Sequence, residues 1–142
     1  MGVGTAGDYL ICYCGIIERT NPTKTTECYN KSLTKVAVAS ANIAKSNVNS
    51  ASPNKQFACF FHGKVKGDNK QLNEVEVYDS SLTKYFLSNT NSGRMASYVG
   101  HNGKNCATMA GNYIILAGGC VTGEGGLSIL LSSTAEVYKY NS

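Results

Sequence analysis

Cys12 and Cys14 stand two residues apart, and Cys59 and His62 three apart. Thiolates and an imidazole are the donor types that hold a tetrahedral zinc ion. The surrounding sequence assigns them another role. Three segments align on Tyr9, Phe57 and Tyr113, which places Cys12 with Phe60 and Leu116, Cys59 with Ile11 and Ile115, and Cys28 with Val77 and Val137. A cysteine that alternates with Phe, Leu, Ile and Val fills a packing position, because a free thiol behaves as a small hydrophobe. Neither a metal nor another cofactor is therefore expected. Of the six cysteines (Cys12, Cys14, Cys28, Cys59, Cys106 and Cys120), four sit in apolar, strand-like runs, which points to thiols in a reducing compartment rather than a disulfide framework.

Other residues offer no stronger chemistry. His62 takes the position of Gly118, and His101 lies in a Gly100-His-Asn-Gly103 turn. No serine or carboxylate stands at a spacing that suggests a triad, so both read as surface or turn histidines. Gly123-Glu-Gly-Gly126 lacks the following helix and the Gly-Lys-Ser/Thr ending of a phosphate-binding loop, and reads as a flexible connection. No enzymatic activity is expected. The net charge of +4 is spread over separate lysines without aromatic interleaving, which argues against nucleic acid as a partner. No apolar run approaches the roughly 18 residues that span a bilayer, and the start, Met1-Gly-Val-Gly, lacks the form of a signal peptide. No membrane partner and a cytoplasmic location are the corresponding expectations.

The elements that would position these side chains are short strands. With 42% hydrophobic residues, 15% charged, fifteen glycines and two prolines, the chain reads as globular and rich in turns. Gly111-Asn-Tyr-Ile-Ile-Leu-Ala-Gly-Gly119 is an apolar run closed by glycine, and it recurs in altered form over 7–15 and 55–63. Each copy is followed by a second strand: Thr26-Glu-Cys-Tyr29, Val75-Glu-Val-Tyr78 and Ala135-Glu-Val-Tyr138. Tyr29-Asn-Lys-Ser-Leu-Thr-Lys35 and Tyr78-Asp-Ser-Ser-Leu-Thr-Lys84 then agree at five of seven places, forty-nine residues apart, which marks an internal duplication. Asn-Lys and Asp-Ser supply turn chemistry, so a further strand is expected over 33–39 and 82–88. A small, weakly polar strand is expected before each glycine-closed run, at 3–6, 47–52 and 105–110. Named A to D in chain order, these four strands make one repeat.

The glycine-closed B strand, the Glu-Val-Tyr C strand and the Asp-Ser-Ser-Leu-Thr-Lys turn resemble the kelch-repeat family, and more closely its bacterial and phage-borne members. The resemblance covers nearly the whole chain. It departs at the paired glycine, which is Cys14-Gly15 and His62-Gly63 in two copies, and at the absent tryptophan after the C strand. It implies an all-β fold of about three propeller blades, each of four antiparallel strands. Blade one would span 2–39, blade two 47–88, and blade three 104–142 without its outer strand, all within one domain. It also implies that the recurrent Glu27, Glu76 and Glu136 lie near a basic residue before an A strand, as Lys45 and Arg94 do, in structural ion pairs rather than in acid–base work.

Three blades do not close a ring, so the expectation is part of a longer propeller chain or a homodimer forming six blades, the missing strand favouring the former. The function implied is a non-enzymatic interaction module that binds protein or glycan, of structural or host-contact type and virion-associated if phage-encoded. The alternatives are a fragment of a kelch-fold carbohydrate-active enzyme, an oxidase or epimerase, and a purely scaffolding subunit. Loops on a rigid scaffold carry recognition. The B–C connections (16–25, 64–74 and 120–134) and the D–A connections (40–46 and 89–103) share one face. The candidate contacts there are Leu127, Ile129, Leu130 and Leu131, whose apolar side chains are costly on a loop, together with Lys64, Lys66 and Arg94.

Overall fold

The computed structural model describes residues 1–18, 21–66, 71–90, 107–122, 129–131 and 134–139. The fold is all-β. In repeat one, β1 (Gly2–Ala6), β2 (Tyr9–Ile17), β3 (Asn21–Tyr29) and β4 (Lys35–Val36) form an antiparallel sheet in chain order. Repeat two does the same with β5 (Asn49–Ala51), β6 (Phe57–Phe61), β7 (Val75–Asp79) and β8 (Lys84–Leu87), a 3-10 turn at Pro53–Lys55 joining its first two strands. Repeat three pairs β9 (Ala107–Ala110), β10 (Tyr113–Ala117) and β13 (Ala135–Lys139), and between the last two lies a hairpin of β11 (Cys120–Thr122) and β12 (Ile129–Leu131).

Meander order follows from tight turns. Asn30 and Asp79 each accept two backbone N–H groups through one side-chain oxygen, from Ser32 and Thr34 and from Ser81 and Thr83, at 2.9–3.0 Å. Both turns hold a leucine in the left-handed region, Leu33 at φ 57° and Leu82 at φ 61°. A bulky residue there is strained unless its surroundings hold it, and the repeated Asx bonds do so. The strand expected over 33–39 is shorter than the pattern suggests. After Val36 the backbone leaves the ladder because repeat two captures it: Tyr78 donates to the Ala39 carbonyl at 2.8 Å, and Lys84 Nζ to the Ser40 carbonyl at 2.8 Å.

Period-two alternation divides each sheet into two faces. Ile11, Tyr13 and Cys28 of repeat one meet Ala58, Phe60 and Tyr78 of repeat two in one buried core. The opposite face of repeat two, with Cys59, Phe61, Val75 and Val77, meets Ile114 and Leu116 of repeat three in a second core. Repeat two is thus buried on both sides, which explains why β7 reads Val-Glu-Val-Tyr with all four residues buried. The first strands are small because they run close to the next sheet. A Cβ on Gly2 would lie 2.9 Å from the Phe60 ring, and one on Gly4 3.0 Å from the Ala58 Cβ. Side chains of β5 and of the turn after it bond to the β1 backbone, Ser50 Oγ to the Val3 carbonyl at 2.8 Å and the Thr5 N–H to Ser52 Oγ at 2.7 Å.

Cys28 and Cys59 occupy these cores as packing groups, almost wholly buried. Their repeat equivalents are valines and isoleucines. Cys28→Val and Cys59→Ile are therefore expected to change stability by less than about 1.5 kcal/mol, as read from urea midpoints.

Candidate functional site

Among the described residues, the first two B–C connections and the D–A connection between repeats one and two lie together. Thr23 in β3 bridges to Lys45 in the connection from repeat one to repeat two, Ser46 bridges to Lys64, and Lys64 to Gln71. The Ser46–Lys64 bridge has both backbone bonds, 3.0 and 2.9 Å. One D–A connection is therefore laced between two B–C connections, and Lys66 Nζ adds a hydrogen bond to Asn21 Oδ1 across repeats. The first B–C connection is not the loop expected over 16–25. β2 runs on to Ile17 and β3 begins at Asn21, so a two-stranded ribbon projects there with Ile16 and Ile17 both more than half exposed. Two successive isoleucines at the end of a strand were the available signal, hidden by the irregular loop assumed at that point.

Lys64 is half-buried and held by its backbone, and Lys66 is exposed. Ile129, Leu130 and Leu131 form β12, so the connection over 120–134 contains a paired hairpin. Val121 and Thr122 in the one strand and Ile129 in the other are residue types that favour pairing over an irregular loop. Leu127 and Arg94 lie outside the described residues.

Beneath the face sits a buried ionic centre. Lys45 Nζ lies 3.1 Å from Glu76 Oε1 and 3.5 Å from Glu74 Oε2, and Lys84 Nζ lies 3.4 Å from Glu76 Oε2. The Asn42 N–H reaches both Glu76 oxygens at 3.1 and 3.2 Å. Burial alone would push the Glu76 carboxyl up. The Tyr13 hydroxyl, the Lys45 ammonium and the Asn42 N–H outweigh it and leave the group below the ordinary carboxylate range. Tyr13 is buried without a hydrogen bond of good geometry, yet its hydroxyl lies close enough to Glu76 for each to perturb the other; burial first, then neighbouring negative charge, drives its pKa up. Lys45 also stands 5.4 Å from the centre of the Tyr13 ring. This is the ion pair expected for Glu76. Glu27 is instead paired at the surface with Lys35 at 2.6 Å and Tyr29 at 3.0 Å, and Lys35 first, then Tyr29, holds its carboxyl below the usual range.

His62 is buried, which overturns the surface reading, and it follows the end of β6 with a left-handed backbone. The connection after β8 covers it: Nε2 lies 2.9 Å from Thr90 Oγ1 and Nδ1 lies 3.4 Å from Asn49 Nδ2. An amide nitrogen only donates, so Nδ1 accepts and Nε2 carries the hydrogen toward Thr90, whose hydroxyl faces the Asn73 carbonyl at 3.3 Å. Cys14, His62 and Gly118 share one repeat position and one left-handed backbone, φ 54°, 61° and 71°. Two copies lack the glycine but share its backbone conformation, and in repeat one the strand ladder shifts register at this point, between Tyr13 and Gly15. Burial pushes the Cys14 thiol up to about 11 and the Cys59 thiol up to about 12. Both are protonated at neutral pH and poorly suited to ligate or attack.

A cavity of about 390 Å³ opens between repeats two and three, bounded by Pro53, Phe57, Tyr85, Leu87, Ile114 and Tyr138. By repeat position these match Ala6, Tyr9, Val36, Val38, Ala58 and Tyr78, which belong, with Leu82, to the core between repeats one and two. No protein-family model matches the chain, and no curated protein matches its sequence. Among the described residues no helix is long and apolar enough to cross a membrane. No cluster of three or more His, Cys, Asp or Glu that could hold a metal is found among the described residues.

Proposed function

We propose that the chain is a kelch-like propeller module, without enzymatic activity, that binds a protein or glycan through the face carrying its B–C and D–A connections. The observation that supports this most is the lacing of 40–46 between the two neighbouring B–C connections. It makes a rigid strip of backbone from which Ile16, Ile17 and Lys66 project into solvent. Lys45, Glu76 and the Asn42 N–H beneath it are engaged with one another, which favours a supporting role over catalysis. A kelch-fold oxidase or epimerase needs a cluster of metal ligands or a buried acid–base pair along the axis, whereas the buried Lys45 and Glu76 are held in a structural ion pair. Three stacked repeats, two of which share the Asx turn and pair the recurrent C-strand glutamate with the lysine that follows that turn, support the kelch-like reading. The resemblance adds a structural or host-contact role in a bacterial or phage setting, in the cytoplasm or on a virion.

A glycan array and copurification with wild-type chain test the proposal, alongside Ile16→Asp and Lys66→Glu. Retained signal in both variants would count against this face. Leu130→Asp is expected to leave soluble, folded protein by circular dichroism while weakening the captured interaction at least tenfold. Insoluble protein would place Leu130 in a core instead.

A further inference from the structure

We propose that the outer face of repeat three packs against the outer face of repeat one in a second copy of this chain, head to tail. The template is internal. The same pair of sheet faces meets twice within the chain, repeat one against two and repeat two against three, and in each case the alternating residues of β2 or β6 are covered by the next sheet. Two faces of the same kind are left over, and their apolar residues break the burial pattern of their equivalents. Val137 is 60% exposed, whereas Val77 and Cys28 at the same position are 1% and 0% exposed. Tyr113 is 44% exposed, but its counterparts Tyr9 and Phe57 pack on the two cores.

The matching face of repeat one carries the complementary defect. Leu82 lies in a left-handed Asx turn and packs against the core between repeats one and two; Leu33, in the same turn of repeat one, is 75% exposed. Placed as Leu82 is placed, Leu33 of one copy would join Tyr113 and Val137 of the next in a covered core. Val3, at 45% exposure, belongs to the same side. Glu27 needs no charge from the partner, because Lys35 and Tyr29 already satisfy it. Covering this face therefore strands no carboxylate. The contact joins two different surfaces, so it is heterologous, and further copies can add until a ring closes. It does not depend on what the connection face binds.

Light scattering on the purified chain across a roughly tenfold dilution tests it, with Leu33→Asp, Val137→Asp and their equimolar mixture. Both residues are mostly exposed, and circular dichroism should show unchanged folds. Wild type is expected at two or more protomer masses, and each variant alone at one. The mixture is expected at two and no higher, since the Leu33→Asp copy keeps an intact repeat-three face and the Val137→Asp copy an intact repeat-one face. Wild type at one protomer mass throughout would overturn the proposal. So would a Leu33→Asp variant that associates like wild type, which would mean that two repeat-three faces pair with each other, or a mixture that stays at one protomer mass.

Discussion

Lys45→Met is expected to cost about 3 kcal/mol at neutral pH, the low end of the range for stranding one member of a buried ion pair. Glu76 would remain completely buried without its nearest cation. Lys84 at 3.4 Å and the Asn42 N–H would remain, which keeps the loss from the upper end. Replacing both partners, Lys45→Met with Glu76→Met, is expected to recover only part of the loss: the stranded buried carboxylate is gone, but the Asn42 N–H, Lys84 and Glu74 each lose a partner. The pH dependence separates this account from simple loss of packing. In the wild type Glu76 has a folded pKa below its unfolded value, so its contribution is fully present above the ordinary carboxylate pKa of about 4.3 and is lost as pH falls through the lower, folded value. Without Lys45 the burial penalty pushes that carboxyl upward, and acid then relieves the strain. The gap between variant and wild type in urea titrations should narrow as pH falls from 7 toward about 4. A gap constant with pH would mean that Lys45 acts only through its aliphatic stem.

Phe60→Ala is expected to be at least as damaging, about 3–5 kcal/mol. Its ring stacks on Tyr13 with centroids 4.2 Å apart and planes 8° from parallel, and meets Tyr78 edge-on at 6.0 Å. Removing it leaves a hole between repeats one and two that the extended strands on either side cannot collapse to fill. Phe86→Ala is the control. Phe86 lies on the edge strand, more than half exposed, under the Lys84 ammonium at 5.5 Å, and its truncation is expected to cost roughly 0.5 kcal/mol. Equal losses in urea denaturation would show that the two sheets do not pack through this aromatic cluster.

Much of the architecture was legible because strands and turns are local. The apolar runs Tyr9 to Tyr13 and Val75 to Tyr78, and the duplicated Asn/Asp-x-Ser-Leu-Thr turn, specify strand, partner and register over short distances. The packing role of Cys28 and Cys59 followed from the same alignment. The candidate site was less legible. Ile16 and Ile17 were placed within a loop, because the point at which a hairpin stops pairing depends on cross-strand partners such as Pro22 and Asn21, which a single strand does not reveal. His62 was misplaced because its burial comes from Thr90, twenty-eight residues later, on a connection with no periodicity of its own.

By itself the sequence determined the all-β class, the three-fold repeat, the turn that presents Leu33 and Leu82, and the recurrence of glutamate in the C strand. These rest on period-two alternation and on side chains that bond their own backbone. Only the tertiary structure decided which glutamate is sealed with a lysine and which stays in water. Glu76 and Glu27 sit in the same local context, but Glu76 has a neighbouring sheet to remove its solvent and a connection to deliver Lys45, while Glu27 faces outward with Lys35. Desolvation depends on what packs across from a residue, and that partner is set by the stacking of whole sheets.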